Sequence, residues 1–86
     1  MQQTSLQSYI QLRDEGVLGK RQHDVYVCIS ANPNGITDRK IAEALRLPIN
    51  CVTARRNELA KQGFIAQDGC EHDEITNRMV MKWRSL

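Results

Sequence analysis

The chain has 86 residues, 41% of them hydrophobic and 26% charged, with a formal net charge of +2. A chain of this length forms one small domain that buries roughly 60 to 65% of its unfolded surface, so a second domain does not fit. It has no run of about 18 apolar residues to span a bilayer, and MQQTSLQSYI has neither the basic n-region nor the apolar h-region of a signal peptide, so a cytoplasmic location is expected.

The first periodic stretch is TSLQSYIQLRDEG. Its spacing predicts a short helix with Thr4 or Ser5 as N-cap, Leu6, Tyr9, Ile10 and Arg13 on one side, and Gly16 as the stop. It reads as an extension, residues 1–16, serving as an appendage or a dimer arm. The expected state is a monomer or a weak homodimer. The main domain then covers 17–86. It opens with a helix from about Lys20 to Ala31, with Val25, Cys28 and Ile29 inward, closed by the turn chemistry of Asn32-Pro33-Asn34-Gly35. Ile36 has room for a token strand only.

Thr37 is an expected N-cap for a helix over 38–46, where Asp38 favours the positive helix end and Ile41 and Leu45 form a buried i, i+4 pair. Leu47-Pro48 breaks that helix, because proline disfavours a helical conformation in the residue before it. Pro48 is well placed to start the next helix, over 48–62, which Gly63 stops. Two helices joined by so tight a turn make a helix-turn-helix. Phe64-Ile65-Ala66-Gln67 reads as a strand and Asp68-Gly69 as the start of a loop. Met79 to Trp83 reads as a returning strand, with Met79, Met81 and Trp83 packed as core. The fold class expected is α+β: a mostly helical three-helix core plus a β-hairpin wing.

Charge is distributed unevenly along these elements. Residues 37–67 hold six basic and three acidic side chains, 68–77 hold four acidic and no basic, and 78–86 hold three basic and no acidic. Three cysteines without paired spacing, Cys28, Cys51 and Cys70, argue for reduced thiols rather than a disulfide framework. Cys70 with His72 falls short of the four ligands of a structural zinc site, so no metal or other cofactor is expected. There is no nucleotide-binding glycine loop, no nucleophile motif and no plausible carboxylate pair outside the acidic loop, so the expectation is a protein without enzymatic activity.

The order helix, small strand, helix-turn-helix, hairpin resembles the winged helix-turn-helix fold. The detailed match lies in VTARRNELAKQGFI, from Val52 to Ile65. Bacterial regulators of the multiple-antibiotic-resistance family have a similar progression through recognition helix and first wing strand. The chain also looks like the short winged-helix proteins encoded by phages and prophages, with a GKRQ-like first helix, a T-D-R-x-I-A segment, an R-R-N-E-L helix and a tryptophan-containing last strand. The similarity covers about residues 17 to 84. It implies DNA binding and transcriptional control, or another bacterial or phage DNA transaction. Two departures stand out. The long dimerising helices of the larger regulators are missing, and Asp68, Glu71, Asp73 and Glu74 occupy the wing, where relatives present Arg or Lys to DNA.

The recognition helix can be read by angle, at about 100° per residue with Val52 at zero. Leu59 then lies near 340° and Ile49 near 60°, which places the buried stripe close to zero. Asn50, Thr53, Ala54, Asn57 and Lys61 make the outward stripe. Asparagine can contact adenine through two hydrogen bonds, and threonine and alanine can pack on a thymine methyl. A plain solvated helix face is the alternative. Arg55 and Arg56 fall on the two flanks of the core. Arg55 suits a phosphate; for Arg56 a phosphate and an internal ion pair, with Glu43 as the candidate partner, stand as equal alternatives. Arg39 and Lys40 on the preceding helix and Arg78 in the wing complete the expected DNA-contacting set. In all, four to five phosphate contacts are expected. The competing reading, from another class, is a protein-interaction module that uses the acidic wing.

Overall fold

The computed structural model describes residues 19–86. The helix expected over 4–16 and the domain boundary after residue 16 lie outside the described residues. Helix α1 (Lys20–Ser30) turns Val25, Tyr26 and Ile29 into the core. Tyr26, not Cys28, is therefore the third inward residue; Cys28 stays at the edge, half-buried. The Tyr26 ring meets Phe64 edge-on, centroids 6.0 Å apart. The turn after α1 is built by Asn32, whose Nδ2 donates to the Cys28 carbonyl at 2.7 Å and whose own carbonyl accepts the Gly35 N–H at 2.9 Å. Gly35 has φ +96°, and an added Cβ would lie 3.2 Å from Lys82 Cβ. Both handedness and space require glycine there.

Strand β1 (Ile36–Thr37) is short but buried. The Thr37 hydroxyl accepts the Lys40 N–H at 3.3 Å, which makes it the N-cap of α2 (Asp38–Leu45), as its position predicts. Within α2, Ile41 and Ala42 are the buried residues and Leu45 is only half-buried against the core. The helix ends at Arg46, held at φ 55° and ψ 47°, and the Leu47 N–H returns to the Ala42 carbonyl at 3.0 Å. A left-handed conformation at a non-glycine residue costs roughly 1 to 2 kcal/mol.

Helix α3 (Ile49–Lys61) starts after Pro48 and buries Val52, Arg56 and Leu59. It ends in a Schellman motif: Phe64 N–H reaches the Leu59 carbonyl and Gly63 N–H the Ala60 carbonyl, each at 3.1 Å, with Gly63 at φ +82°. Ile49, placed by angle at the edge of the buried stripe, is 41% exposed, since the first turn of α3 opens on a groove beside the hairpin.

Strands β2 (Ile65–Asp73) and β3 (Arg78–Ser85) form the hairpin, and the antiparallel sheet runs β1-β3-β2. Ile36 lies opposite Trp83, which ties the first strand to the last. A register shift between Gln67 and Cys70, with Gly69 at φ +73°, marks a β-bulge. Asp-Gly therefore interrupts a strand rather than starting a loop. Asp68, Glu71 and Asp73 sit on β2, and the turn is confined to residues 74–77, closed by the Asn77 N–H on the Asp73 carbonyl at 2.7 Å.

Of the three residues expected as wing core, Trp83 alone is buried; Met79 is 64% and Met81 45% exposed. Both methionines line an open groove beside α3, so the alternation along β3 continues where no helix closes over it. The core is instead Val25, Ile29, Ile41, Val52 and Leu59, all fully buried, with Phe64, Ile65 and Trp83 closing it from the sheet side. Each fully buried aliphatic side chain contributes about 1.5 to 3 kcal/mol.

Candidate nucleic-acid interface

Arg56 joins α2, α3 and the sheet. It is 7% exposed, donates from Nε to Asp38 Oδ1 at 3.0 Å and from Nη2 to Asp38 Oδ2 at 2.8 Å, and also donates from Nη1 to Asn57 Oδ1. Its guanidinium lies 4.2 Å from the Trp83 ring centroid. A buried cation needs a paired, hydrogen-bonded carboxylate, and the planar fork of arginine matches one. Of the two alternatives for Arg56, the internal ion pair is therefore realised, with Asp38 rather than Glu43 as partner, and the side chain is withdrawn from the contact set. Asp38 also accepts the Thr53 hydroxyl at 3.0 Å, so Thr53 offers the outside its methyl rather than its donor.

Other cations of the expected set also meet carboxylates. Arg39 Nε lies 3.0 Å from Asp73 Oδ2, Lys40 pairs with Glu71, and Arg55 donates from Nη2 to Glu58 at 3.1 Å. Glu58 in turn accepts from Gln22 on α1, which turns Arg55 toward that helix. The acidic wing thus neutralises α2 instead of presenting bare charge. The Thr76 hydroxyl, 2.7 Å away, holds the Asp73 carboxyl below the usual carboxylate range, assisted by Arg39 and the backbone N–H groups of Ile75 and Thr76 and opposed by partial desolvation. Glu71 raises the Lys40 pKa in the same way, favouring its charged form. The Arg39–Asp73 and Lys40–Glu71 pairs bridge chain separations that local periodicity cannot reveal.

What remains open is a narrower surface. Asn50, Asn57 and Lys61 are exposed along α3, with Thr53 and Ala54 half-buried between them. Arg78 is exposed beside the wing turn, and Arg46 is exposed in the turn that leads into α3. Among the described residues, Lys20, Arg46, Lys61, Arg78 and Lys82 have no ion-pair partner, and Lys82 donates instead to the Asn34 carbonyl at 3.2 Å. Arg46 was not in the expected set; its place between two helices, directly before Leu47-Pro48, was the signal that could have found it. No acidic residue sits in the first turn of α3, so no carboxylate of the helix itself offsets its positive dipole end. Between α3 and β3 lies a groove of about 410 Å³ whose lining includes Ile49, Thr53, Met79, Met81 and Trp83.

No family model and no curated protein matches the sequence. Solved structures do match the fold. The transcriptional regulator SlyA is 22% identical, with 94% of this chain and 53% of that chain covered, at a TM-score of 0.62. FabT of Streptococcus pneumoniae, solved in complex with DNA, is 24% identical, with 78% of this chain and 43% of that chain covered, at a TM-score of 0.56. The chain thus spans about half the length of these neighbours. With its three described helices and three-stranded antiparallel sheet, the fold is the winged helix-turn-helix expected from the sequence.

Proposed function

We propose that the protein binds double-stranded DNA by laying α3 in the major groove, and that it acts in transcriptional regulation or another bacterial or phage DNA transaction. The observation that carries this reading is the outer face of α3. Asn50, Ala54 and Asn57 are spared from the core and bracketed by two cations without an ion-pair partner among the described residues, Arg46 before the helix and Arg78 on the wing. A recognition helix reads bases with its N-terminal residues, while cations at its margins hold phosphates. The likeness to a transcriptional regulator and to a protein solved with DNA supports the same reading.

The internal ion pairs lower the expected number of phosphate contacts from four or five to about three, made by Arg46, Lys61 and Arg78. Fluorescence-anisotropy titration of a labelled duplex across a salt series tests this. The expected log–log slope is about −3, since each neutralised phosphate contributes roughly 0.9. Absence of binding at low salt would overturn the reading. The alternative, a protein-interaction module using an acidic wing, draws little support: Asp68, Glu71 and Asp73 each face a cation of their own chain, and Glu74 alone of the four wing carboxylates has no direct ion pair.

A further inference from the structure

The chemistry left on the reading face of α3 is selective. Between residues 49 and 60 the helix has two cationic side chains, Arg55 and Arg56, and a carboxylate of the chain itself engages each: Arg56 is buried and Arg55 is partly exposed on the flank. Arg56 spends Nε, Nη1 and Nη2 on Asp38 and Asn57, beneath the surface and against Trp83. Arg55 donates from Nη2 to Glu58, whose carboxylate also lies 2.9 Å from Nε, on the flank that faces α1. Guanine shows the major groove two acceptors, N7 and O6, which are read most often by arginine or lysine. The N-terminal turns of α3 have no such reader. Lys61 lies twelve residues beyond Ile49, about 18 Å along the helix axis at 1.5 Å per residue.

What this face does offer is Ile49, 41% exposed, the Ala54 methyl, the Thr53 methyl left outward by the hydroxyl bond to Asp38, and the carboxamide of Asn50. Asn50 Oδ1 accepts the adjacent Cys51 N–H at 3.0 Å, which leaves a second lone pair and both Nδ2 protons for a base. An asparagine can donate to adenine N7 and accept from N6 together, and apolar groups pack on the thymine 5-methyl. From this we infer that the site takes A·T base pairs, read in the major groove by Asn50 on adenine and by Ile49, Thr53 and Ala54 on thymine methyls. The inference rests on the duplex-binding reading and names its substrate class.

The test separates major-groove readout from a minor-groove preference for A·T. Duplexes selected from a randomised pool are measured by anisotropy alongside versions in which single A·T pairs become inosine·cytosine. That pair keeps the A·T minor-groove pattern but shows the major groove the guanine acceptors. The expected result is A·T enrichment at the core of the selected sites, with affinity lost about five- to a hundredfold per inosine·cytosine pair there. Replacing thymine by uracil removes the methyl and should weaken binding severalfold in the wild type and by less in Ile49→Ala, where Thr53 and Ala54 still meet the remaining methyls. Replacing adenine by 7-deazaadenine should weaken the wild type but not Asn50→Ala. Both positions are exposed, so melting curves should match the wild type and show that the variants fold. Duplex binding that tolerates inosine·cytosine throughout, or selected sites centred on G·C, would overturn the inference and leave DNA binding standing. No duplex binding at all would overturn both.

Discussion

Replacing Arg56 by alanine tests how the helix-turn-helix is held to the wing. The substitution removes two charge-assisted bonds to Asp38, at 3.0 and 2.8 Å, and the contact with Trp83. Breaking a buried pair by deleting one partner costs about 3 to 5 kcal/mol, because the remaining charge keeps its desolvation penalty. Asp38 retains the Thr53 hydroxyl and has a side chain 17% exposed, which puts the cost at the low end, about 3 kcal/mol. A fold of this size has roughly 3 to 10 kcal/mol of stability in total. Its melting temperature should therefore fall by about 12 to 24 °C. The assay is urea unfolding followed by far-UV circular dichroism, on Arg56→Ala, Asp38→Ala and the double variant. Because either single change orphans the other charge, the double variant should be about 2 kcal/mol less destabilised than the sum of the singles. An Arg56→Ala variant within about 0.5 kcal/mol of the wild type, or strictly additive effects, would refute the reasoning.

Arg46→Gly should raise stability by about 0.5 to 1 kcal/mol in thermal melts, since glycine accepts φ 55° without the Cβ clash, while weakening duplex binding about equally for all sequences. Asp73→Asn should flatten the acid limb of the stability curve. The depressed native pKa of Asp73 contributes stability that is complete above the unfolded carboxylate value of about 3.9 and is lost as pH falls below it through the native value, so urea midpoints followed downward in pH should decline less in the variant. Glu71→Gln combined with Asp73→Asn frees Lys40 and Arg39, and the salt slope of duplex binding should steepen by up to about 1.8; an unchanged slope would mean that these two cations lie outside the interface.

The local signals in the sequence were sufficient for the fold. Thr37 as cap, Leu47-Pro48 as break and Gly63 as stop act within a few residues of themselves, and each falls where it was read. The angular reading of α3 also placed Arg56 beside the core, where it is buried. Errors arose where the answer depended on distant partners. Alternation along β3 is the same whether or not a helix closes over it, so Met79 and Met81 read as core although they line an open groove beside α3. The acidic stretch looked like a repulsive loop because its neutralising partners, Arg39 and Lys40, lie more than thirty residues earlier in the chain. For the same reason the candidate site was legible as a helix face but not as a list of free charges. Which cations remain available follows from the ion pairs, and those follow from the fold.

In the proposed binding mode the outer face of α3, flanked by Arg46 and Arg78, is where a duplex binds. Backbone amide chemical-shift mapping of the labelled protein during titration with an A·T-centred duplex tests it most directly. The largest changes should fall on residues 46–57 and around the wing turn at 74–78, with α1 nearly silent. Changes centred on α1, or none at low salt with duplex in excess, would contradict it.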